Sequence, residues 1–142
     1  MIREFKTEDH QTTMDVWYNA SVIAHHFMGE AFLEEERVNL TEGRNFPNVE
    51  KWVYEQDGKI VGFIAMIENE VGGIFVEPDF QNQGVGRQLM DHVRPSREFL
   101  ELDVFKDNAI GRRFYDRYGF QLVREYFHEE TNQMMLRLKL ES

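Results

Sequence analysis

One segment of the chain combines glycines, amides and an arginine in a pattern suited to binding an anion. The apolar run Ile74-Phe75-Val76 predicts a strand, a loop follows Pro78, and a helix begins near Gly84. The first backbone N–H groups of a helix have no partners within it, and the helix dipole adds partial positive charge there. Glycine lets a diphosphate approach the backbone because no Cβ intervenes. Arg87, in the first turn of the predicted helix, could add a charged contact to the anion.

Two common phosphate-binding loops do not fit this segment. A Walker loop requires Lys-Ser or Lys-Thr after its last glycine, whereas Gly86 is followed by Arg87-Gln88. A dinucleotide fingerprint requires a third glycine, and Leu89 stands at that position. The segment therefore indicates an anion site of another class.

The spacing Gln81-x-x-Gly84-x-Gly86 after a strand and Pro78 resembles the acyl-CoA signature of the GNAT superfamily of N-acetyltransferases. Further along, Asn108-Ala109, Phe114-Tyr115 and Gly119-Phe120 resemble the second signature of that family. The motifs cover about Ile74 to Phe120, and the predicted order of elements matches the family over the whole chain. Gln81 stands where the family commonly has arginine, so the loop brings one positive charge fewer.

The resemblance implies roles for individual residues. The strand Ile74-Phe75-Val76 would splay from its neighbour, Phe99 to Val104, and offer its backbone to the pantetheine arm of CoA, with the Val76 N–H polarising the thioester carbonyl. Asn108 would face the pantetheine or the sulfur. The diphosphate would be held by the loop of Gln81, Asn82, Gln83, Gly84, Val85, Gly86 and Arg87. Tyr115 would be the general acid, since a tyrosine with a pKa near ~10 can protonate the departing thiolate. The implied reaction is direct transfer of an acetyl group from acetyl-CoA, the cosubstrate, to a primary amine in a ternary complex.

The residue that accepts the amine's proton stays open at this level. Glu68, Glu70 and Glu77 flank the predicted strand, although a glutamate in an acidic chain is usually just solvated. His25 follows Trp17 and Ser21 along one helical stripe, at the end of the first predicted helix. As a catalytic candidate it could shuttle the amine's proton or orient the acceptor. Alternatively, it is a capping or half-buried histidine near a helix C-terminus, where the helix dipole favours a histidine.

Hydrophobic periodicity predicts the elements that must position these residues. The predicted order is β-α-α-β-β-β-α-β-α-β-β, an α+β domain with a mixed sheet. The resemblance implies that this is the GNAT acyl-CoA N-acyltransferase fold with a splayed central strand pair. Asp57-Gly58 predicts a type I′ hairpin turn between two strands. Thr7 is the predicted N-cap of the first helix, Gly119 closes the last one, and 43–49 is a predicted loop. We expect 1–142 to form one domain.

Composition narrows the function classes. The 142 residues carry a formal charge of −10, which disfavours nucleic acid as a partner. The segment from Gln81 to Phe120 has seven basic and six acidic residues, so the acidic excess lies elsewhere, as would suit an anionic donor and a cationic acceptor. A solvated acidic surface explains the same counts. The chain has no cysteine, and its five histidines show no metal-ligand spacing, so no metal is expected.

The sequence therefore predicts a soluble cytoplasmic N-acetyltransferase that uses acetyl-CoA. Its acceptor amine would be a small molecule, a peptide N-terminus or a lysine, and no membrane partner is expected. An alternative is a catalytically silent acyl-CoA-binding sensor or interaction module. A homodimer through the C-terminal strands is a further possibility, since an exposed strand edge is a template for pairing.

Overall fold

The computed structural model describes residues 1–41 and 49–141, with the side chains of 37–41 excepted. Within these ranges the chain forms a seven-stranded mixed sheet and four α-helices in the predicted order. The loop predicted over 43–49 lies outside the described residues, except that Val49 begins a strand. The strands are β1 (Ile2–Glu4), β2 (Val49–Gln56), β3 (Lys59–Ile67), β4 (Glu70–Val76), β5 (Phe99–Phe105), β6 (Gln121–His128) and β7 (Gln133–Glu141). The helices are α1 (His10–Ala24), α2 (Glu30–Thr41), α3 (Val85–Val93) and α4 (Ala109–Tyr118).

Local turn chemistry follows the sequence closely at two of three places. Asp57 and Gly58 both have positive φ, at 53° and 78°, which confirms the hairpin turn between β2 and β3. Gly119 ends α4 in the left-handed region with a φ of 117°. The Thr7 cap is wrong, because Thr7–Asp9 forms a 3-10 turn and α1 begins at His10. The Asp9 carboxylate accepts the Lys6 N–H at 2.8 Å, which closes the 3-10 turn, and no side chain caps the start of α1 itself.

The two faces of the sheet bury different helices. Phe63 packs with Met14, Val16 and Trp17 of α1, whereas the next residue, Ile64, lies in the larger core with α3. Since successive strand residues point to opposite faces, α1 and α3 cover opposite sides of the sheet. No helix in 1–41 or 49–141 is long and apolar enough to span a membrane.

The sheet order is β1-β2-β3-β4-β5-β7-β6, and β4 with β5 is its one parallel pair. Their ladder consists of a single residue pair, Glu70 with Glu101, whereas β3 with β4 and β5 with β7 pair along most of their lengths. The strands therefore separate after their first residues and open a V-shaped cleft toward the end of β4. This confirms the splayed central pair that was predicted.

An arginine on β7 holds the closed end of the cleft together. The Arg137 guanidinium bonds both oxygens of Glu70 at 2.8 and 2.9 Å, and it also bonds Glu101 and, at 3.2 Å, Asp103. Hydrogen bonding to Glu70 and Glu101 raises the pKa of Arg137, so the guanidinium stays charged. One cation thus links β4, β5 and β7 at the point where the cleft begins.

We expect Arg137→Met to destabilise the fold, because three carboxylates would lose their shared cation. The free energy of unfolding, measured in urea, should fall by about 1–3 kcal/mol. Lys139→Met is the matched control on the same strand, since Lys139 lies 4.0 Å from Glu101 and 3.3 Å from the exposed Glu141. It should cost less than about 1 kcal/mol. Equal losses in the two variants would contradict a clamp centred on Arg137.

Candidate functional site

The predicted anion-binding loop lies between the open end of β4 and the start of α3. Pro78–Phe80 forms a 3-10 turn, Asn82 and Gly84 both have positive φ, and Gly84 is the N-cap of α3. The N–H groups of the first helical turn therefore have no carbonyl partner within α3. This arrangement offers several N–H donors and the positive end of a helix dipole to an anion.

Gly84 and Gly86 serve different physical needs. Gly84 has a φ of 87°, and a Cβ there would make only an ordinary contact with Gln88 Nε2 at 3.8 Å, so it is the backbone conformation that requires glycine. A Cβ on Gly86 would lie 3.1 Å from the ring of Phe114, so this glycine lets α3 approach α4 closely. The sequence reasoning assigned both glycines to the diphosphate, whereas the packing against Phe114 could not be read from the motif.

The side chain of Gln81 is engaged within the loop. Its Nε2 donates to the carbonyl of Val76 at 3.0 Å, so the amide fastens the loop to the end of β4. Gln83 similarly donates to the Asp79 carbonyl at 3.1 Å. Arg87 is exposed in the first turn of α3, where its charge can reach a bound anion.

The backbone of β4 lines one wall of the cleft. Glu77 N–H donates to Val61 O at 2.8 Å, and Val76 pairs with Gly62 in the same ladder. In an antiparallel pair, hydrogen-bonded and non-hydrogen-bonded residue pairs alternate. The backbone N–H and C=O of Val76 and Ile74 therefore point away from β3 and into the cleft, while those of Phe75 point to β3. Extended chains bind such edges by strand addition.

The other wall is formed by the end of β5 and by α4. Asn108 caps α4, since its Oδ1 accepts the Gly111 N–H at 2.9 Å. Tyr115 packs edge-to-face against Phe120 with ring centroids 5.6 Å apart. Burial raises the pKa of the Tyr115 phenol, so its proton is retained well into the alkaline range.

Helix α1 contacts both walls near the open end of the cleft. On the β4 side, Asn19 donates its amide to the Glu77 carboxylate at 3.0 and 3.3 Å. On the other side, His25 lies directly after α1, with its ring 5.1 Å from that of Phe105 and its Nε2 3.3 Å from Asn108 Nδ2. Burial lowers the pKa of His25 to about 4, so the ring is neutral at physiological pH. Asn19 and Phe105 carry no motif, and sequence reasoning did not find them.

The three glutamates considered as proton acceptors lie in different places. Glu70 is bound to Arg137 at the closed end, and Glu68 lies in the turn between β3 and β4 next to it. Glu77 follows the last residue of β4, so of the three it alone is at the open end, beside the cleft-facing Val76. Within 1–41 and 49–141, no three His, Asp or Glu residues are grouped to hold a metal ion.

A family model and a relative that spans most of this chain are both acetyltransferases. The family model of the acetyltransferase (GNAT) domain matches residues 47–122. The chain is 29% identical to the peptidyl-lysine N-acetyltransferase YiaC of Escherichia coli K12 over 132 residues, which are 92% of this chain and 90% of that protein.

Solved structures share the fold. The solution structure of apo-form YjaB from Escherichia coli superposes with a TM-score of 0.86 at 22% identity, over 98% of this chain and 95% of that one. The PaiA N-acetyltransferase of Thermoplasma acidophilum, solved in complex with coenzyme A, superposes with a TM-score of 0.76 at 17% identity, over 100% and 98% of the two chains.

We expect Gly84→Glu to weaken acetyl-CoA binding by about a hundredfold, because it strains a positive-φ position and places a carboxylate at an anion site. Gly58→Glu is the matched control, since Gly58 also has positive φ with open space around it but lies in the β2–β3 turn. Titration calorimetry of both variants measures the difference. Comparable loss of affinity in the two would mean that general destabilisation, and not the loop, is responsible.

Proposed function

Because the chain belongs to the GNAT acetyltransferase family, we propose that it transfers the acetyl group of acetyl-CoA to the side-chain amine of a protein lysine. The observation that carries this proposal is the split between β4 and β5. It leaves the N–H groups of Ile74 and Val76 and the carbonyl of Ile74 free to pair, directly beside the glycine loop that begins α3, while the Val76 carbonyl accepts from Gln81. A ligand with an extended amide-bearing arm and a diphosphate matches those two features in that order.

The donor binds as follows in this proposal. Ile74, Phe75 and Val76 supply the strand along which the pantetheine arm lies, with the free backbone groups coming from Ile74 and Val76. The diphosphate lies against the loop and helix start, formed by Gln81, Asn82, Gln83, Gly84, Val85, Gly86 and Arg87. Gln81 contributes by holding Val76 O, so its main effect is on loop shape. Asn108 borders the arm from the opposite wall.

The chemistry requires two proton transfers. The neutral amine nitrogen attacks the thioester carbonyl carbon, the C–S bond breaks, and the thiolate takes a proton from the Tyr115 hydroxyl, which solvent then restores. The Val76 N–H stabilises the carbonyl oxygen as its charge develops. Formation of the C–N bond leaves the amine nitrogen positively charged, and its proton passes to Glu77, directly or through water. Glu77→Gln tests whether Glu77 is the proton acceptor. In a rate assay it is informative because the glutamine amide still accepts a hydrogen bond from Asn19 but cannot take up a proton.

Two observations favour a lysine as the acceptor. The relatives YiaC and YjaB are peptidyl-lysine N-acetyltransferases by name. The chain outside the donor half is strongly acidic, and an acidic surface attracts cationic partners. Both features also suit other amines, so the acceptor class is decided by experiment.

The test uses an N-terminally blocked peptide with one lysine, a matched peptide with arginine in its place, and a small polyamine. Thiol release and a mass gain of one acetyl group on the lysine peptide alone would support the proposal. Modification of the polyamine alone would contradict the lysine assignment. Calorimetric binding of acetyl-CoA with no acceptor modified would contradict transfer and favour a silent acyl-CoA-binding module.

We expect Tyr115→Phe to lower kcat by about a hundredfold while the Kd for acetyl-CoA changes by less than about threefold. Since burial raises the pKa of Tyr115, the wild-type rate should lose its acid only above the ordinary tyrosine value of ~10. Tyr118→Phe removes a hydroxyl from the same helix, one that donates to Asp91, and should leave kcat unchanged. Full kcat in Tyr115→Phe, with chemistry rate-limiting, would rule out the acid.

A further inference from the structure

The hydrogen-bond state of His25 can be deduced from its neighbour Asn108. The Oδ1 of Asn108 accepts the Gly111 N–H at 2.9 Å, and this fixes which end of the amide faces α4. The opposite end, the NH₂ group, must then face His25, whose Nε2 lies 3.3 Å away. An amide nitrogen has no lone pair to offer, so it can only donate. His25 Nε2 is therefore the acceptor, and the ring proton is on Nδ1.

The surroundings keep this arrangement in place. Asn108 is buried, and a Cβ on Gly111 would lie 2.6 Å from its Nδ2, so the amide occupies space that only a glycine leaves. Among the side chains that the structure describes, those in contact with the His25 ring are uncharged: Phe27 from the 3-10 turn after α1, Phe105 from β5 and the Asn108 amide. The nearest charged residues along the chain beyond Phe105, Lys106 and Asp107, are exposed. Protonating Nε2 would set an N–H against the amide N–H.

We propose that His25 is a positioning residue and not a general base: its neutral Nε2 accepts from Asn108 and ties the end of α1 to the start of α4. A base needs a free lone pair, but one ring nitrogen is occupied by Asn108 and the other carries the proton. With the Asn19–Glu77 bond, this tie fastens α1 to both walls of the cleft. The tie therefore sets the width of the opening that the donor and acceptor share.

The tautomer can be measured on the purified protein alone. We expect long-range ¹⁵N–¹H NMR of the histidine-labelled protein to show His25 as the Nδ1–H tautomer, neutral down to a pH of about 4. His25→Gln identifies its signals by their loss. Asn108→Asp is the informative variant, because aspartate caps a helix as well as asparagine but has no proton to donate. Its carboxylate should move the His25 proton to Nε2 and raise the His25 pKa by about two units or more.

Kinetics separate positioning from base catalysis, and this part rests on the proposed acetyl transfer. Glutamine can accept from the Asn108 amide through Oε1 but cannot act as a base near neutral pH. His25→Gln should therefore keep kcat/KM within about threefold of wild type, while His25→Ala should lose about tenfold or more. His26→Ala is the matched control, because the His26 ring is exposed and bonds Ile23 O instead.

The outcomes are distinct. Loss of activity in His25→Gln as deep as in His25→Ala would overturn the proposal, as would a wild-type His25 protonated on Nε2 or titrating near ~6.5. A wild type that acetylates no acceptor would overturn the proposed function alone. In that case the tautomer and its response to Asn108→Asp would still support or overturn the tie between α1 and α4.

Discussion

The parting of β4 from β5 is the constraint on which the rest of the structure depends. A continuous parallel ladder would satisfy the backbone of both strands and leave no room for a ligand between them. Here a single residue pair joins the strands at Glu70 and Glu101, and Arg137 holds both carboxylates from β7. Beyond that point β4 forms backbone pairs with β3 alone, so the groups that would have bonded β5 are available to a ligand, except the Val76 carbonyl, which accepts from Gln81. An unpaired backbone edge is costly when buried, which favours an occupant that pairs with it.

The walls of the opening must then be kept apart by contacts other than sheet hydrogen bonds. Helix α3 packs its apolar side on β3 and β4, and Gly86 brings it against Phe114 of α4 on the same face. On the opposite face, α1 reaches Glu77 through Asn19 and Asn108 through His25. Each wall is therefore held from both faces of the sheet, and the opening has a defined width before any ligand binds.

Much of this could be predicted from the sequence because the signals are local. The order of strands and helices follows from hydrophobic period, and Asp57-Gly58 and Gly119 specify backbone conformations that few other residues adopt. The glycine loop was likewise placed correctly at the start of α3. The Thr7 cap was wrong because the chain makes a 3-10 turn over Thr7–Asp9 before α1 begins, and the Asp9 carboxylate closes that turn on the Lys6 N–H.

The contacts that link distant segments could not be predicted in the same way. Asn19, Phe105 and Arg137 carry no motif, and their importance comes from partners 58, 80 and 67 residues away in the chain, respectively Glu77, His25 and Glu70. The same holds for His25, whose position at a helix end was predicted while its state was not. A histidine at a helix C-terminus is expected to be charged, because the helix dipole favours the cation.

At His25, burial between Phe27 and Phe105 opposes the preference of the helix dipole for a charged ring, and the donor Asn108 opposes it further.

The two ends of the cleft use different chemistry. At the closed end, three carboxylates around Arg137 leave a net negative charge that repels an anion. At the open end, a neutral histidine and a neutral amide join the walls without adding charge of either sign. The start of α3 and Arg87 then favour an anion on their side of the mouth, whereas the Glu77 carboxylate at the end of β4 favours a cation.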